Sequence, residues 1–215
     1  VFIVEEPMAA AIGIRLPITE PIGSMIIDIG GGTTDIAVIS LGGIVRSKNL
    51  KIAGDKFNTD ISTYIKDEFK LLVGEKTAEN IKLAITNVLP GTFMEAQVRG
   101  RDLVTGLPRE VVVTDSDIRE AIMPSVAVFV DGIKEVLETT PPEILADVMY
   151  RGIVLTGGGA LLRGLDTYLQ EALKIPIYIA EDPLTAVARG TGVILDDIEA
   201  YQEVLVTTDD DFKTR

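Results

Sequence analysis

The sequence has 215 residues, a formal net charge of −13, and neither cysteine nor histidine. That excludes a disulfide framework, a thiol nucleophile, a Ser-His-Asp triad, an imidazole base and His-ligated zinc, so any chemistry must run on carboxylates, backbone dipoles and a hard cation. The acidic balance excludes nucleic acid as a main partner and offers no attraction to anionic lipid, while 47% apolar residues suffice for a buried core.

Residues 1–4 read as a short buried strand. Pro7 suits the first position of a helix, Met8, Ala9, Ala10, Ala11 and Ile12 continue it, and Gly13 ends it. An apolar run at 25–29 is interrupted only by Asp28, and Gly30-Gly31-Gly32 follows. A second β-rich run spans 34–40, Leu41-Gly42-Gly43 turns the chain, and 44–52 completes a meander.

Residues 55–72 are helical by period, with Phe57, Ile61, Ile65, Phe69 and Leu72 on one face. Thr77 is expected to cap the next helix, whose apolar face is Ile81, Ile85 and Val88. Residues 94–114 read as a hairpin turning near Thr105-Gly106. Thr114 caps a long helix carrying Ile118, Ile122, Phe129, Ile133 and Val136, with Pro124 inside it. A further helix follows Pro142.

The last section is βαβα. A strand at 153–155 leads into Gly157-Gly158-Gly159, and a helix carries Leu161, Leu165, Leu169 and Leu173. A strand spans 177–179, and Asp182 caps a helix with Pro183 at its first position. The acidic tail, with its run at 209–211, is expected to be mobile. The organisation is a mixed α/β unit made of both ends of the sequence, with an α+β insertion at about 54–134. No apolar stretch approaches the ~20 residues of a membrane span, and no signal peptide is visible. The chain begins at Val1 without an initiator Met and is read as a fragment.

The two triple-glycine turns carry the chemistry. Without Cβ atoms the backbone approaches a ligand closely, and successive amides form a concave anion site. One such turn is weak evidence. Two, each after a buried strand, suggest a nucleotide held at its phosphates and again near its base. Neither turn fits G-x-G-x-x-G, because positions 35 and 162 are Asp35 and Leu162, and no P-loop is present.

Beside the first turn, Thr33 and Thr34 add hydroxyls. Asp28 either holds Mg²⁺ through water or bonds the loop amides. Glu6, between a strand and a helix, either orients a water for attack on a phosphoryl group or caps the helix. Glu79 and Lys82 are either an exposed i,i+3 pair or a bond to ribose hydroxyls.

Together these residues resemble the actin/Hsp70/sugar-kinase ATPase superfamily. Asp28-Ile29-Gly30-Gly31-Gly32-Thr33-Thr34 resembles its second phosphate loop, Thr156-Gly157-Gly158-Gly159 its adenosine loop, and Glu6-Pro7-Met8-Ala9-Ala10-Ala11 the segment with the water-positioning residue. Within it the chain is most similar to the MreB family of bacterial actins. The segments carrying that likeness are Val4-Glu5-Glu6-Pro7-Met8-Ala9-Ala10-Ala11-Ile12-Gly13, Gly74-Glu75-Lys76-Thr77-Ala78-Glu79, Asp102-Leu103-Val104-Thr105-Gly106-Leu107-Pro108 and Leu155-Thr156-Gly157-Gly158-Gly159-Ala160-Leu161-Leu162-Arg163-Gly164-Leu165.

The resemblance implies an actin-like (ribonuclease H-like) α/β ATPase domain II. Residues 1–53 and 135–215 would be subdomain IIA, and 54–134 an inserted α+β subdomain IIB. It implies ATP and Mg²⁺ as cofactors, with Glu6 positioning the attacking water and Asp28 the hydrated Mg²⁺. Gly30, Gly31, Gly32, Thr33 and Thr34 would hold phosphates, Glu79 and Lys82 ribose and base, and Gly157, Gly158 and Gly159 the adenosine side.

It further implies self-association into filaments, partners in the cell-wall elongation machinery, and a cytoplasmic location at the inner face of the membrane. The family's N-terminal domain I, with the first phosphate loop and the membrane-binding elements, has no counterpart here. The chain is therefore expected to supply about half the cleft, to bind ATP weakly, and not to hydrolyse it alone. The alternatives are an Hsp70-like or sugar-kinase-like ATPase half, or a non-catalytic interaction module.

Overall fold

The computed structural model describes residues 1–206, and the acidic run at 209–211 lies outside the described residues. A five-stranded sheet has the order β3-β2-β1-β7-β8. It comprises β1 (Ser24–Ile29), β2 (Thr34–Ser40), β3 (Gly43–Leu50), β7 (Ile153–Thr156) and β8 (Ile177–Ile179). The first three strands form the expected antiparallel meander, and β7 and β8 add in parallel beside β1.

All six residues of β1 are buried, as expected of a strand covered on both faces. The period of two divides its side chains. Met25, Ile27 and Ile29 enter the larger core, while Ile26 enters a second core under α1 (Glu6–Gly13) and α7 (Ala186–Asp196). These two helices pack backbone to backbone. A Cβ at Gly190 would overlap the Ala9 carbonyl oxygen, and one at Gly13 the Ala186 carbonyl oxygen.

The insertion is built on a three-stranded sheet, β4 (Leu71–Leu72), β5 (Glu95–Asp102) and β6 (Pro108–Thr114). It is covered by α2 (Gly54–Phe69), α3 (Glu75–Ile85) and the start of α4 (Asp115–Thr139). The Thr114 hydroxyl accepts from the Asp117 amide while Asp117 accepts from that of Thr114, a reciprocal cap. Helix α4 runs on to the large sheet, so the boundary expected near residue 134 falls inside it. Helices α5 (Pro142–Arg151) and α6 (Leu165–Leu173) complete the layer.

Several local expectations are corrected. Residues 1–3 are exposed, and only Val4 forms a bridge, to Leu205; a single cross-strand partner cannot bury four residues. Helix α2 stops at Phe69 because Lys70 takes a left-handed conformation, and Leu72 passes into β4. Thr77 is not a cap: α3 starts at Glu75 after Gly74. Leu161 lies in a separate 3₁₀ turn, Gly158–Leu161, and is exposed. Asp182 and Pro183 open another 3₁₀ turn rather than α7. The Asp182 carboxylate accepts from Thr185 and pairs with Arg189.

Candidate functional site

Both glycine turns leave the same end of the sheet. Asp28 of β1 is in register with Thr156 of β7, so the two parallel neighbours end side by side. The carboxyl ends of parallel strands are where open α/β sheets hold ligands. The first turn is closed by the Gly30 amide donating to the Thr33 carbonyl at 2.9 Å. The second begins at Gly157, with φ +79 and its amide donating to Pro183 O at 3.0 Å. It sits directly on the first: a Cβ at Gly157 would overlap Asp28 Oδ1 and the Ile29 carbonyl oxygen, and one at Gly159 the Ile29 side chain.

Gly30, Gly31, Gly158 and Gly159 line a single cavity of about 900 Å³, and Glu79 and Lys82 of α3 face it as well. That is the size of a small-molecule or cofactor site. The opening of α2 joins the first turn, since the Gly54 and Asp55 amides donate to Gly30 O and Gly31 O at 3.2 and 2.8 Å. Leu83, Leu161, Leu162 and Leu184 provide an apolar part of the lining.

Glu79 and Lys82 are not a solvated surface pair. The Lys82 side chain is 11% exposed; its Nζ lies 2.7 Å from Glu79 Oε2 and donates to Gly54 O at 3.1 Å. Asn58 Nδ2 donates to the same Glu79 oxygen at 2.7 Å. The Lys82 ammonium, helped by the Asn58 amide and opposed by burial, holds the Glu79 carboxyl below its ordinary range.

Asp28 is 5% exposed. Burial pushes its carboxyl from the ordinary 3.8 up to about 6, and the charges of Glu6 and Asp35 push the same way. The Thr156 hydroxyl, beside the carboxylate but outside hydrogen-bond geometry, offsets part of this. Between pH 4 and 6 the folded chain therefore binds more protons than the unfolded one, so stability falls as pH rises through that window and levels off above it. Asp28→Asn should remove this fall and raise stability at pH 7.5 by about 1–3 kcal/mol. Urea unfolding at pH 4 and 7.5 measures it, and an unchanged pH slope would refute it.

Residues 1–203 match the family described as MreB/Mbl protein. The chain belongs to the MreB/Mbl family. It is 54% identical over 200 residues to the cell shape-determining protein Mbl of Bacillus subtilis, covering 93% of this chain and 60% of that protein. MreB5 of Spiroplasma citri, solved bound to ADP, superposes with a TM-score of 0.88 at 41% identity, covering 93% of this chain and 61% of that one. A MamK double helical filament gives 0.74 at 25% identity, covering 90% and 59%. The fold is thus the expected actin-like α/β fold, and the chain spans about 60% of the length of the curated relatives it matches.

In this MreB/Mbl chain the expected site residues fall into two groups. Gly30, Gly31, Glu79, Lys82, Gly158 and Gly159 line the cavity. Gly32 is exposed beyond its edge, and Gly157 braces the second turn against β1. Thr33 supplies the carbonyl that closes the first turn. Thr34 is not presented to a ligand: it is fully buried, and its hydroxyl donates to Ile52 O at 2.6 Å, fixing the turn from behind. Glu6 is exposed at the start of α1, outside the cavity, where its charge is felt at Asp28.

Sequence reasoning missed Asn58, Thr86 and Arg163. A signal for Thr86 existed: Glu75, Glu79, Lys82 and Thr86 recur at four, three and four residues, one face of α3, and all four line the cavity. Arg163 donates from Nη1 to Ala84 O at 2.8 Å, tying the segment after the second turn to the end of α3. Among the described residues no helix is long and apolar enough to cross a membrane.

Proposed function

We propose that the chain forms the adenosine side and one phosphate turn of an ATP site in a filament-forming, cell-shape-determining cytoskeletal protein. The observation that carries this is the convergence of both glycine turns, with Glu79 and Lys82, on one cavity. The ADP in MreB5 and the name of the Mbl relative support it. The MamK filament supports self-association. The MreB/Mbl assignment sets aside the Hsp70-like and sugar-kinase-like readings.

In this reading Gly30 to Gly32 and Thr33 meet phosphates, Glu79 and Lys82 the ribose and base, and Gly157 to Gly159 the adenosine side. Subdomain IIA is 1–53 with 135–215, and IIB is 54–134. Attachment to the inner face of the membrane and contact with the cell-wall elongation machinery belong to the whole protein.

Mg²⁺ fits the residues present. Glu6, Asp28 and Asp35 bring hard oxygens together, and none of them has a cationic partner among the described residues. No cluster of three direct ligands is found there either. A hydrated ion held through water by Asp28 suits both facts. When bound it neutralises phosphate charge. Asp28 would hold the ion through its water shell, and Glu6 would position the attacking water.

Calorimetric titration with ADP tests the reading. One nucleotide should bind per chain. Lys82→Met, which removes the ammonium that pairs with Glu79 in the cavity, should weaken binding about tenfold. No binding would leave the chain a non-catalytic interaction module.

A further inference from the structure

Arg189 stands in the first turn of α7, where the helix dipole disfavours a cation. Its guanidinium holds three separate segments. Nε donates to the Gly13 carbonyl at the end of α1 at 3.3 Å, Nη2 to the Glu181 carbonyl at 2.9 Å, and Nη1 to Asp182 Oδ2 at 3.1 Å. A partly exposed ion pair contributes little by itself. A planar fork that meets three partners at once does more, because its donors are pre-organised.

Asp182 takes φ +48 and ψ 65, a left-handed conformation that only Gly, Asn and Asp adopt readily. Its carboxylate also accepts from the Thr185 hydroxyl, so the 3₁₀ turn Pro183–Thr185 is held at its start and at its end. Two parts of that turn meet the second glycine turn. The Pro183 carbonyl accepts from the Gly157 amide at 3.0 Å. The Leu184 side chain lies on the cavity lining beside Gly158.

Resting on the nucleotide reading above, we propose that Arg189 is a positioning residue of the nucleotide site. Through Asp182 it fixes the Pro183 carbonyl that holds Gly157 and the Leu184 side chain on the cavity wall. Through Gly13 it ties both to α1, the helix that begins at Glu6. One side chain outside the cavity lining thus sets the second glycine turn and the helix carrying Glu6 in a single frame.

Hydrogen exchange and titration with ADP test this together. Exchange of the Gly157 amide reads its bond to Pro183 directly, and the Gly30 amide, bonded to the Thr33 carbonyl, is the control. In Arg189→Met the Gly157 amide should exchange at least about threefold faster with Gly30 unchanged, and ADP should bind at least about threefold more weakly. Arg189→Lys, a point charge without the fork, should restore neither. Asp182→Gly keeps the left-handed conformation open but removes the acceptor, and should follow Arg189→Met. Asp182→Asn keeps both, and should lie nearer wild type than Asp182→Gly in both readings.

Gly157 exchange as slow in Arg189→Met and Asp182→Gly as in wild type would overturn the proposal while leaving the nucleotide reading standing. So would faster exchange with ADP binding unaltered. Equal acceleration at Gly30 and Gly157 would mark a general loosening and would overturn it as well. No ADP binding to wild type would overturn the nucleotide reading and the proposal with it. Circular dichroism checks folding, and the contrast between Asp182→Gly and Asp182→Asn decides the matter if Arg189→Met does not fold.

Discussion

Gly157→Ala should destabilise the chain by about 3–5 kcal/mol and abolish nucleotide binding. The backbone there has φ +79 and ψ 171, a region essentially closed to residues with a side chain and worth about 1–3 kcal/mol of strain. The added methyl would also overlap Asp28 Oδ1 and the Ile29 carbonyl oxygen, and would sit 2.7 Å from the Ile29 carbonyl carbon. The two Ile29 atoms are backbone of a central strand and cannot give way. The turn must move instead, and with it Gly158 and Gly159 on the cavity wall.

Gly158→Ala is the control. Its Cβ would meet only the tip of Leu184, at 3.2 Å, and a flexible side chain can swing away. It should leave stability within about 1 kcal/mol of wild type. Urea unfolding followed by circular dichroism measures both, since the chain has no tryptophan. Equal stabilities would contradict the packing of the second turn on the first.

Gly190→Ala is expected to cost at least about 3 kcal/mol. Its Cβ would overlap the Ala9 carbonyl oxygen and lie 3.0 Å from the Gly13 amide nitrogen. The obstruction is backbone on both sides, so α1 and α7 must separate. That loosens the core under them, where Met8, Ala10, Ile12, Ile26 and Ile194 pack together. Gly192→Ala lies in the same helix with open space around it, and should stabilise by up to about 1 kcal/mol through helix propensity alone. The contrast of sign within one helix separates packing from propensity. Two losses of the same size would contradict the close crossing.

Strands β1, β2 and β7 of the large sheet were legible because they are apolar runs followed by glycine turns, a pattern that burial on both faces imposes. The second strand spans the expected 34–40. The first glycine turn was legible because three consecutive residues without Cβ seldom serve an ordinary hairpin.

What failed were boundaries decided by distant contacts. Leu72 has the period of α2 but pairs with Arg101 of β5. Val1 and Phe2 have strand composition but are exposed. Thr34 reads as a phosphate hydroxyl, yet it donates its hydrogen bond to the Ile52 carbonyl. Asn58 reads as one polar residue on an amphipathic helix. Only the approach of α3 turns it into a buried group beside Glu79, and no local pattern encodes that approach.

The central claim is that the two amide-lined turns serve one ligand. Amide chemical shifts of the isotope-labelled chain, followed during titration with ADP, test it most directly. The account predicts that residues 30–32 and 157–159 shift together along one saturation curve, with Glu79 and Lys82 on the same curve. Shifts at one turn without the other, or two curves with different midpoints, would contradict it.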